Sequence, residues 1–557
     1  MTDLKIPVGI SDFAKIRNYD YYYVDKTGLI EDLLENETAE VTLITRPRRF
    51  GKTMGMSMLA NFFDIRKDSK AMFAGLEISK NAALCKEWMN QWPVVFLSFK
   101  NIDGDKFSLA YQQMVYEIGL LYDSYSELLT SNKLSEDDKA LFLQLKRRTA
   151  NEIDVLRSIQ FLLSLLYKHY GKTVILLLDE YDVPLAKSSA HGYYPDMLNV
   201  IKSMMTTSLK DNNTLRFAVI TGCLRIAKES IFTGTNNFVS DTISSSHLNE
   251  YFGFTQADVD QILKDADCLE YADDIKNWYD GYHFGNLDVY CPWDVMNYLR
   301  DLQRNPKAKP ASYWKNTSDN SIIRSFIDYA GHSISRKLEI LLSGGYILQR
   351  IEENLTYDYL HSSEENLWSI LYLTGYLTQA REEDLPEPLP EGSSALMIPN
   401  AEVREIFETT IQKWFDESAQ TWNRKALFDA VWSGDTETLT KEMNKLLRKT
   451  ISYHDYREDF YHAFLAGIFA GAGYEVDSNK EHGEGRSDVV VLDPEGDRVA
   501  IFEAKYSRTQ DAMPRDCAAA LQQIEDRQYA KEFEEDYDSI LCYGIAFYKK
   551  RCLVQTK

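Results

Sequence analysis

The chain has 557 residues, more than one hydrophobic core accommodates, and its 44% hydrophobic and 13% aromatic content excludes a disordered chain. A formal net charge of −23 argues against non-specific coating of nucleic acid, though it is compatible with a local basic groove. Seven cysteines without CxxC spacing exclude a disulfide framework or zinc knuckle, no run of about 18 apolar residues is long enough to span a bilayer, and the N-terminus MTDLKIPVGISDF lacks signal-peptide features, so a cytoplasmic location without a membrane partner is expected.

In chain order, VTLIT (41–45) predicts a short buried strand. The basic turn RPRRFGKT (46–53) follows, and MGMSMLANFFDI then has apolar residues at helical spacing. Strand, loop, helix is the setting of a phosphate-binding P-loop, GxxxxGK[ST]. Gly51, Lys52 and Thr53 fit that pattern, whereas Arg46 occupies the position of its first glycine. The runs PVVFLSF (93–99), TVILLLDE (173–180) and LRFAVITG (215–222) predict further strands, with helices near 107–123 and 153–169 between them. Continuous apolar runs of this length suit a parallel sheet covered on both faces.

From about 255 to 445, helical patterns rich in Tyr and Trp dominate, interrupted by LPEPLPEG (385–392), a surface loop or hairpin connection. After 450, period-two patterns return in SDVVVLD (487–493), RVAIFEAK (498–505) and SILCYGIAFY (539–548). The turn Pro494-Glu495-Gly496-Asp497 joins the first two as a hairpin. The acidic run KEFEEDYD (531–538) reads as a solvated face.

Two motifs point to nucleotide chemistry. In a P-loop, backbone N–H groups and the helix N-terminus face the phosphates. Lys52 would neutralise the β- and γ-phosphates and Thr53 would place its hydroxyl on Mg²⁺. Pro47 would fix the turn that glycine makes elsewhere, and Arg46, Arg48 and Arg49 would add positive charge near the anion. The strand 173–180 has the form of a Walker B strand: it carries Asp179 to the sheet's C-terminal edge, where it would hold Mg²⁺. Glu180 would polarise the attacking water as general base. Thr221, at the tip of the fourth strand, would face the γ-phosphate as a sensor does. Arg225 follows; it would reach the same phosphate in cis or from a neighbouring subunit of a homo-oligomer, or is an ordinary surface arginine.

The segments IPVGISDF (6–13), YYYVDKTGLI (21–30), TRPRRFGKT (45–53), LLLDEYDVPL (176–185), TGCLRIAKESIF (221–232), YFGFT (251–255), WYDGYHFG (278–285) and YWKNTSDN (313–320) carry a resemblance spanning nearly the whole chain. The chain resembles the bacterial family of AAA-ATPase-like proteins fused to a PD-(D/E)xK nuclease-like domain. The resemblance implies that Arg46 is the usual residue in this loop and that YVDKT borders the adenine pocket, although core packing explains that segment equally well.

It also implies a second site. PD-(D/E)xK nucleases place two acidic groups and a lysine around Mg²⁺ or Mn²⁺ on a helix–hairpin–helix frame. Here Asp488 opens one strand, and Glu503 and Lys505 lie at i and i+2 on the next, hence on one face. Asp488 and Glu503 would be the metal ligands and Lys505 would orient water. Glu458, on the amphipathic stretch 458–474, would add a ligand, whereas His462 there fits a core position better. Gln522 or Gln523, with Gln523 preferred, would face the site from the helix 516–530, or both are merely exposed.

The expected fold is thus α/β: a P-loop ATPase domain (1–254), a mostly helical lid or connector (255–449) and a restriction-endonuclease-like domain (450–557). The expected activity is ATP hydrolysis coupled to cleavage of DNA, or of RNA, serving defence against foreign nucleic acid. The alternative is a STAND-like nucleotide-controlled switch whose nuclease-like domain binds nucleic acid without cutting it.

Overall fold

The computed structural model describes residues 4–35, 39–225, 238–314, 337–338, 340–355, 363–386, 388–420, 425–450, 461, 465–466, 468–469, 474–478, 481–482, 485–493, 496–534, 536–549 and 551–557. Glu458, His462, Gly483, Glu484, the turn residues Pro494 and Glu495, and the motif portions 226–232 and 315–320 lie outside the described residues. The chain divides into two compact units, one of residues 1–318 and 346–404 and the other of residues 319–345 and 405–557. The middle region 255–449 contributes to both.

The first unit is built on a five-stranded parallel sheet, β1 (Val41–Thr45), β2 (Val94–Ser98), β3 (Val174–Asp179), β4 (Leu215–Gly222) and β5 (Phe238–Asp241), in the order β2-β3-β4-β1-β5. All six residues of β3 are buried, as its unbroken apolar run requires in a sheet covered on both faces. Ile44, Ile175, Leu177 and Val219 pack on one face against Met56, Leu59, Phe62 and Phe63 of the helix Lys52–Phe63. The parallel connections bring the ends of β1, β3 and β4 to one edge, where open α/β sheets bind ligands.

The middle region is helical but not wholly so. The hairpin β6 (Tyr282–Phe284) and β7 (Leu287–Val289) lies between the helices Ala272–Tyr279 and Pro292–Arg304. A three-stranded sheet joins β8 (Ile347–Gln349), β9 (Thr378–Gln379) and β10 (Ser394–Met397). The Pro-rich break connects β9 and β10, which pair antiparallel. Leu4, Ile6, Val8, Tyr22 and Val24 pack against the cluster formed by the helices Gln256–Asp265, Ala272–Tyr279 and Pro292–Arg304.

The second unit holds β11 (Glu475–Ser478), the two-residue strands β12 (Glu481–His482) and β13 (Gly485–Arg486), β14 (Val489–Asp493), β15 (Arg498–Tyr506), β16 (Ser539–Tyr548) and β17 (Arg551–Thr556). Its main sheet has the order β11-β14-β15-β16-β17. The expected hairpin is present: β14 and β15 pair antiparallel with Val489 opposite Phe502. β15 and β16 pair in parallel, which requires a crossover, and the helix Met513–Asp526 supplies it.

Candidate functional site

The basic turn is shaped by what Arg46 does. Its N–H donates to the Gly222 carbonyl at 3.1 Å, continuing the pairing of β1 with β4. Its side chain is fully buried. The guanidinium donates to the carbonyls of Thr45 (2.9 Å) and Asp241 (3.1 Å) and ion-pairs with the Asp241 carboxylate. It also lies over the rings of Phe252 and Phe284, 5.5 and 5.6 Å from their centres. Arg46 therefore ties the end of β1 to the end of β5, and Asp241 neutralises its charge. It does not add to the field around an anion, contrary to the expectation for the three arginines. Burial lowers its pKa and Asp241 opposes that shift.

Beyond it, Arg49 (φ +75°) and Gly51 (φ +84°) take left-handed conformations that turn the loop into the helix Lys52–Phe63. Arg49 adopts a backbone that ordinarily favours glycine, so its surroundings must hold it there. Gly51 sits at the helix N-cap without a side-chain cap, which leaves the first N–H groups to face a ligand. The Lys52 ammonium folds over the loop and donates to the carbonyls of Arg46 and Pro47, both at 2.8 Å.

Asp179, fully buried at the end of β3, collects three hydroxyls. Thr221 donates to Oδ1 at 2.6 Å, and Thr53 and Ser98 donate to Oδ2 at 2.9 and 3.3 Å. Thr221, expected to face a γ-phosphate, thus holds the acid from the neighbouring strand. Ser98 had drawn no attention in the sequence; its signal was its place at the end of the strand next to β3. Mg²⁺ binds oxygens at about 2.1 Å in octahedral geometry, so adjacent ligands lie about 2.9 Å apart. The Thr53 and Asp179 oxygens have that separation, and as hard donors they fit this ion.

Glu180 follows in a left-handed conformation (φ +53°), and its side chain lines the cavity beside Gly51, Lys52 and Thr53. Burial, then the neighbouring Asp179, raises its pKa, and Lys52 opposes the shift. Tyr181 and Asp182 clamp the segment after β4. Tyr181 donates its hydroxyl to the Leu224 carbonyl at 2.8 Å, and Asp182 accepts from the N–H groups of Cys223 and Leu224. A Cβ on Gly222 would lie 2.7 Å from the Tyr181 ring, so this close approach requires glycine. Arg48 contributes positive charge toward Glu180 and Cys223. Arg225 is half-buried at the end of this segment and is not among the residues lining the cavity.

The cavity has a volume of about 370 Å³, within the range of small-ligand sites. It is lined by the loop from Arg49 to Gly55 and by an apolar wall from the N-terminal segment 7–11, Tyr22, Tyr23, Val24, Phe254, Trp293 and Met296. Tyr22–Val24 belong to the segment expected to border an adenine pocket. The contribution of Trp293 and Met296 was not foreseen, because it depends on how a helix 240 residues downstream returns to the loop.

In the second unit, the register that places Val489 opposite Phe502 brings Asp488 opposite Glu503. Asp488 Oδ2 accepts the Ala504 N–H at 2.7 Å, and the Lys505 ammonium donates to Glu503 Oε1 at 3.1 Å. Glu503 is 1% exposed and Asp488 9%. Asp488, Glu503 and Lys505 share the face that carries Val490, Val499 and Ile501, which pack with Ile524 of the helix Met513–Asp526. Ala504 is on the other face, with Ala500 and Phe502. Gln522 is exposed and donates to Asp526 at 2.8 Å. Gln523 is half-buried, with its amide 3.5 Å from the Tyr529 hydroxyl. Among the described residues, no group of three His, Cys, Asp or Glu side chains is placed to hold a metal. Two carboxylates do meet the minimum that Mg²⁺ takes from protein when phosphate and water complete its shell.

Residues 7–232 match the family model described as predicted AAA-ATPase, and residues 456–557 match that of the PD-(D/E)XK nuclease superfamily. The chain is also similar to a protein of Azotobacter chroococcum mcd 1 described as an uncharacterized protein in the vnfD 5' region. The two are 26% identical over 572 residues, covering 98% of this chain and 97% of that protein.

Proposed function

Starting from a chain that joins an AAA-ATPase-like domain to a PD-(D/E)XK nuclease-superfamily domain, we propose that it binds and hydrolyses ATP and uses the nucleotide cycle to control a metal-dependent nuclease acting on DNA or RNA. One observation carries the first half. Thr53 of the lysine-bearing loop and Asp179 of the central strand meet at 2.9 Å beside a cavity that Glu180 also lines.

ATP would lie with its base against the apolar wall and its phosphates at the N-terminus of the helix Lys52–Phe63. Lys52 leaves its loop carbonyls for the β- and γ-phosphate oxygens. Mg²⁺ held by Thr53 and Asp179 would neutralise charge between those phosphates. Ser98 and Thr221 keep Asp179 oriented. Glu180 accepts the proton of the attacking water, and its raised pKa makes it a stronger base than an exposed carboxylate.

In the second unit, Asp488 and Glu503 would hold Mg²⁺ or Mn²⁺, which would lower the pKa of a bound water and stabilise charge on the phosphate. Lys505 orients that water or neutralises the phosphate, and Gln523 acts from the adjoining helix. DNA is the preferred substrate over RNA, with defence against foreign nucleic acid as the biological setting. A second reading draws on the closure of Lys505 onto Glu503. In it, the second unit binds nucleic acid without cutting and ATP controls assembly into a homo-oligomer.

The test uses purified wild type, Lys52→Ala and the double variant Asp488→Ala/Lys505→Ala, assayed for ATP hydrolysis and for cleavage of DNA and RNA with Mg²⁺ or Mn²⁺. The first reading expects Lys52→Ala to lose hydrolysis and the double variant to lose cleavage while keeping ATPase activity. Wild type that hydrolyses ATP and assembles, yet cuts neither nucleic acid, selects the second. Wild type that binds no ATP overturns both.

A further inference from the structure

A phosphate backbone needs cations where it lands, and a chain with a net charge of −23 must gather them locally. The second unit sorts its charge along the strand direction. β15 and β16 run parallel, with Arg498 beside Ser539 at one end and Tyr506 beside Phe547 at the other. At the first end the Ser539 N–H donates to the Asp497 carbonyl at 3.2 Å, joining the β14–β15 turn to the start of β16. Asp497 is exposed there, and Glu532, Glu534, Asp536 and Asp538, exposed as well, lead into β16.

At the other end the sign reverses. The Ser507 N–H donates to the Phe547 carbonyl at 2.8 Å, continuing the pairing past β15, and the exposed Arg508 follows. Lys549 turns the chain out of β16 in a left-handed conformation (φ +56°), and the exposed Arg551 opens β17 opposite Tyr548. Arg551 Nη1 donates to Gln510 Oε1 at 2.9 Å, which puts it beside the segment that carries Arg508. Arg515, in the first turn of the helix Met513–Asp526, donates to Asp516 at 3.2 Å, and Asp516 also accepts the buried Ser507 hydroxyl at 2.7 Å. Asp516 thus offsets Arg515. Asp511 is exposed on the same edge, but Arg508, Lys549 and Arg551 leave its surplus positive.

Distance keeps the two fields separate. At about 3.3 Å per residue the ends of β15 lie about 26 Å apart, about three times the Debye length of about 8 Å at physiological salt. The acidic end therefore does not cancel the cations at the other. Lys505 is the last residue but one of β15, so the nuclease-like trio sits toward the cationic end. Arg508 is three residues beyond it, at most about 11 Å of chain, which is the axial rise of about three nucleotides.

We propose that the edge formed by Arg508, Lys549 and Arg551 is the surface on which a nucleic-acid backbone docks, holding phosphates that flank the one at Asp488, Glu503 and Lys505. The proposal rests on the reading of the second unit as a nucleic-acid site. It adds a direction: the strand approaches from the C-terminal end of β15, and the acidic end repels it. Cations on phosphates fix register and carry no sequence information, so this surface positions the strand without selecting bases.

The test compares four full-length proteins: wild type, Arg508→Ala/Arg551→Ala, Arg508→Lys/Arg551→Lys, and Arg527→Ala/Lys531→Ala. The last removes two exposed cations between the crossover helix and the acidic run, and so changes the net charge by the same amount elsewhere. Binding of a fluorescein-labelled DNA duplex and of a labelled single-stranded RNA is followed by anisotropy in EDTA, where no metal supports cutting, from about 50 to 200 mM salt. Thermal unfolding is followed alongside, and all four should melt together because the altered side chains are exposed. Arg508→Ala/Arg551→Ala should weaken duplex binding about tenfold and lower the slope of log affinity against log salt by about two, with RNA binding weakened as well. The lysine pair should stay within about threefold of wild type, since a phosphate accepts either cation. Arg527→Ala/Lys531→Ala should change neither affinity nor slope. An equal loss in that control, no loss in the alanine pair, a lysine pair as weak as the alanine pair, or a loss confined to one nucleic acid each overturns the proposal while leaving the nucleic-acid reading standing. Wild type that binds neither DNA nor RNA overturns that reading, and this inference with it.

Discussion

Arg46 shows what a single residue contributes at this site. A glycine there would make the same turn but would leave the Asp241 carboxylate buried without its cation. The pair is almost fully enclosed, with side-chain exposures of 0% and 5%. Removing one member of such a pair costs about 3 to 5 kcal/mol, because the remaining charge stays desolvated. Asp241→Ala should therefore lower the unfolding free energy of the first unit by that amount, read from urea unfolding as a shift in midpoint multiplied by the m-value. Replacing both residues by apolar ones, as in Arg46→Met/Asp241→Leu, should cost less than the single change, since no charge is left stranded. A single variant as stable as wild type would mean that water reaches Arg46.

Among the elements, the hairpin β14–β15 does for the second site what the β1 turn does for the first. Asp488 performs two tasks there: its charge faces Glu503 and Lys505, and its Oδ2 secures the Ala504 N–H at 2.7 Å. The two tasks separate by substitution. Asparagine retains an oxygen for the N–H but loses the charge, whereas alanine loses both. Asp488→Asn should unfold at the wild-type temperature and be inactive in metal-dependent cleavage; Asp488→Ala should be inactive and also less stable by about 1 to 3 kcal/mol. Thermal unfolding followed beside cleavage distinguishes the two. The grouping of Asp488, Glu503 and Lys505 was legible because a hairpin fixes it within twenty residues, and period-two alternation assigns the face. The meeting of Lys52, Thr53, Asp179 and Glu180 was legible because parallel strands deliver their C-terminal ends to one edge. Asp241 and Trp293 were not legible. Each reaches the phosphate loop from 190 or more residues away, through packing that no local pattern encodes. The short strands β6–β10 escaped notice for a related reason: two to four residues carry too little periodicity to stand out from aromatic-rich helices.

At the scale of the whole molecule, the second unit extends further back than its nuclease-like sequence. β17 is an edge strand, and such an edge exposes backbone groups that invite pairing with another chain. Residues before 450 cover it. Asn444 donates to the Cys552 carbonyl at 3.0 Å and accepts the Cys552 N–H at 2.8 Å, while Thr440 Oγ1 accepts the Val554 N–H at 3.0 Å. Leu427, Val431, Leu439, Met443 and Leu447, from the helices Lys425–Ser433 and Thr436–Thr450, pack in one cluster with Val489, Phe502, Tyr543 and Phe547 of the sheet. Stripping those side chains removes on the order of 10 kcal/mol of apolar burial, as much as a whole domain's net stability. A fragment of residues 456–557, the span that matches the nuclease superfamily, should therefore aggregate, bind a hydrophobic dye and show fast amide exchange along β17. A fragment of residues 405–557 should be the more soluble of the two and protect those amides. If the shorter fragment melts cooperatively at the same temperature as the longer one, the two helices are dispensable to the sheet, and the edge of β17 is guarded by some other means.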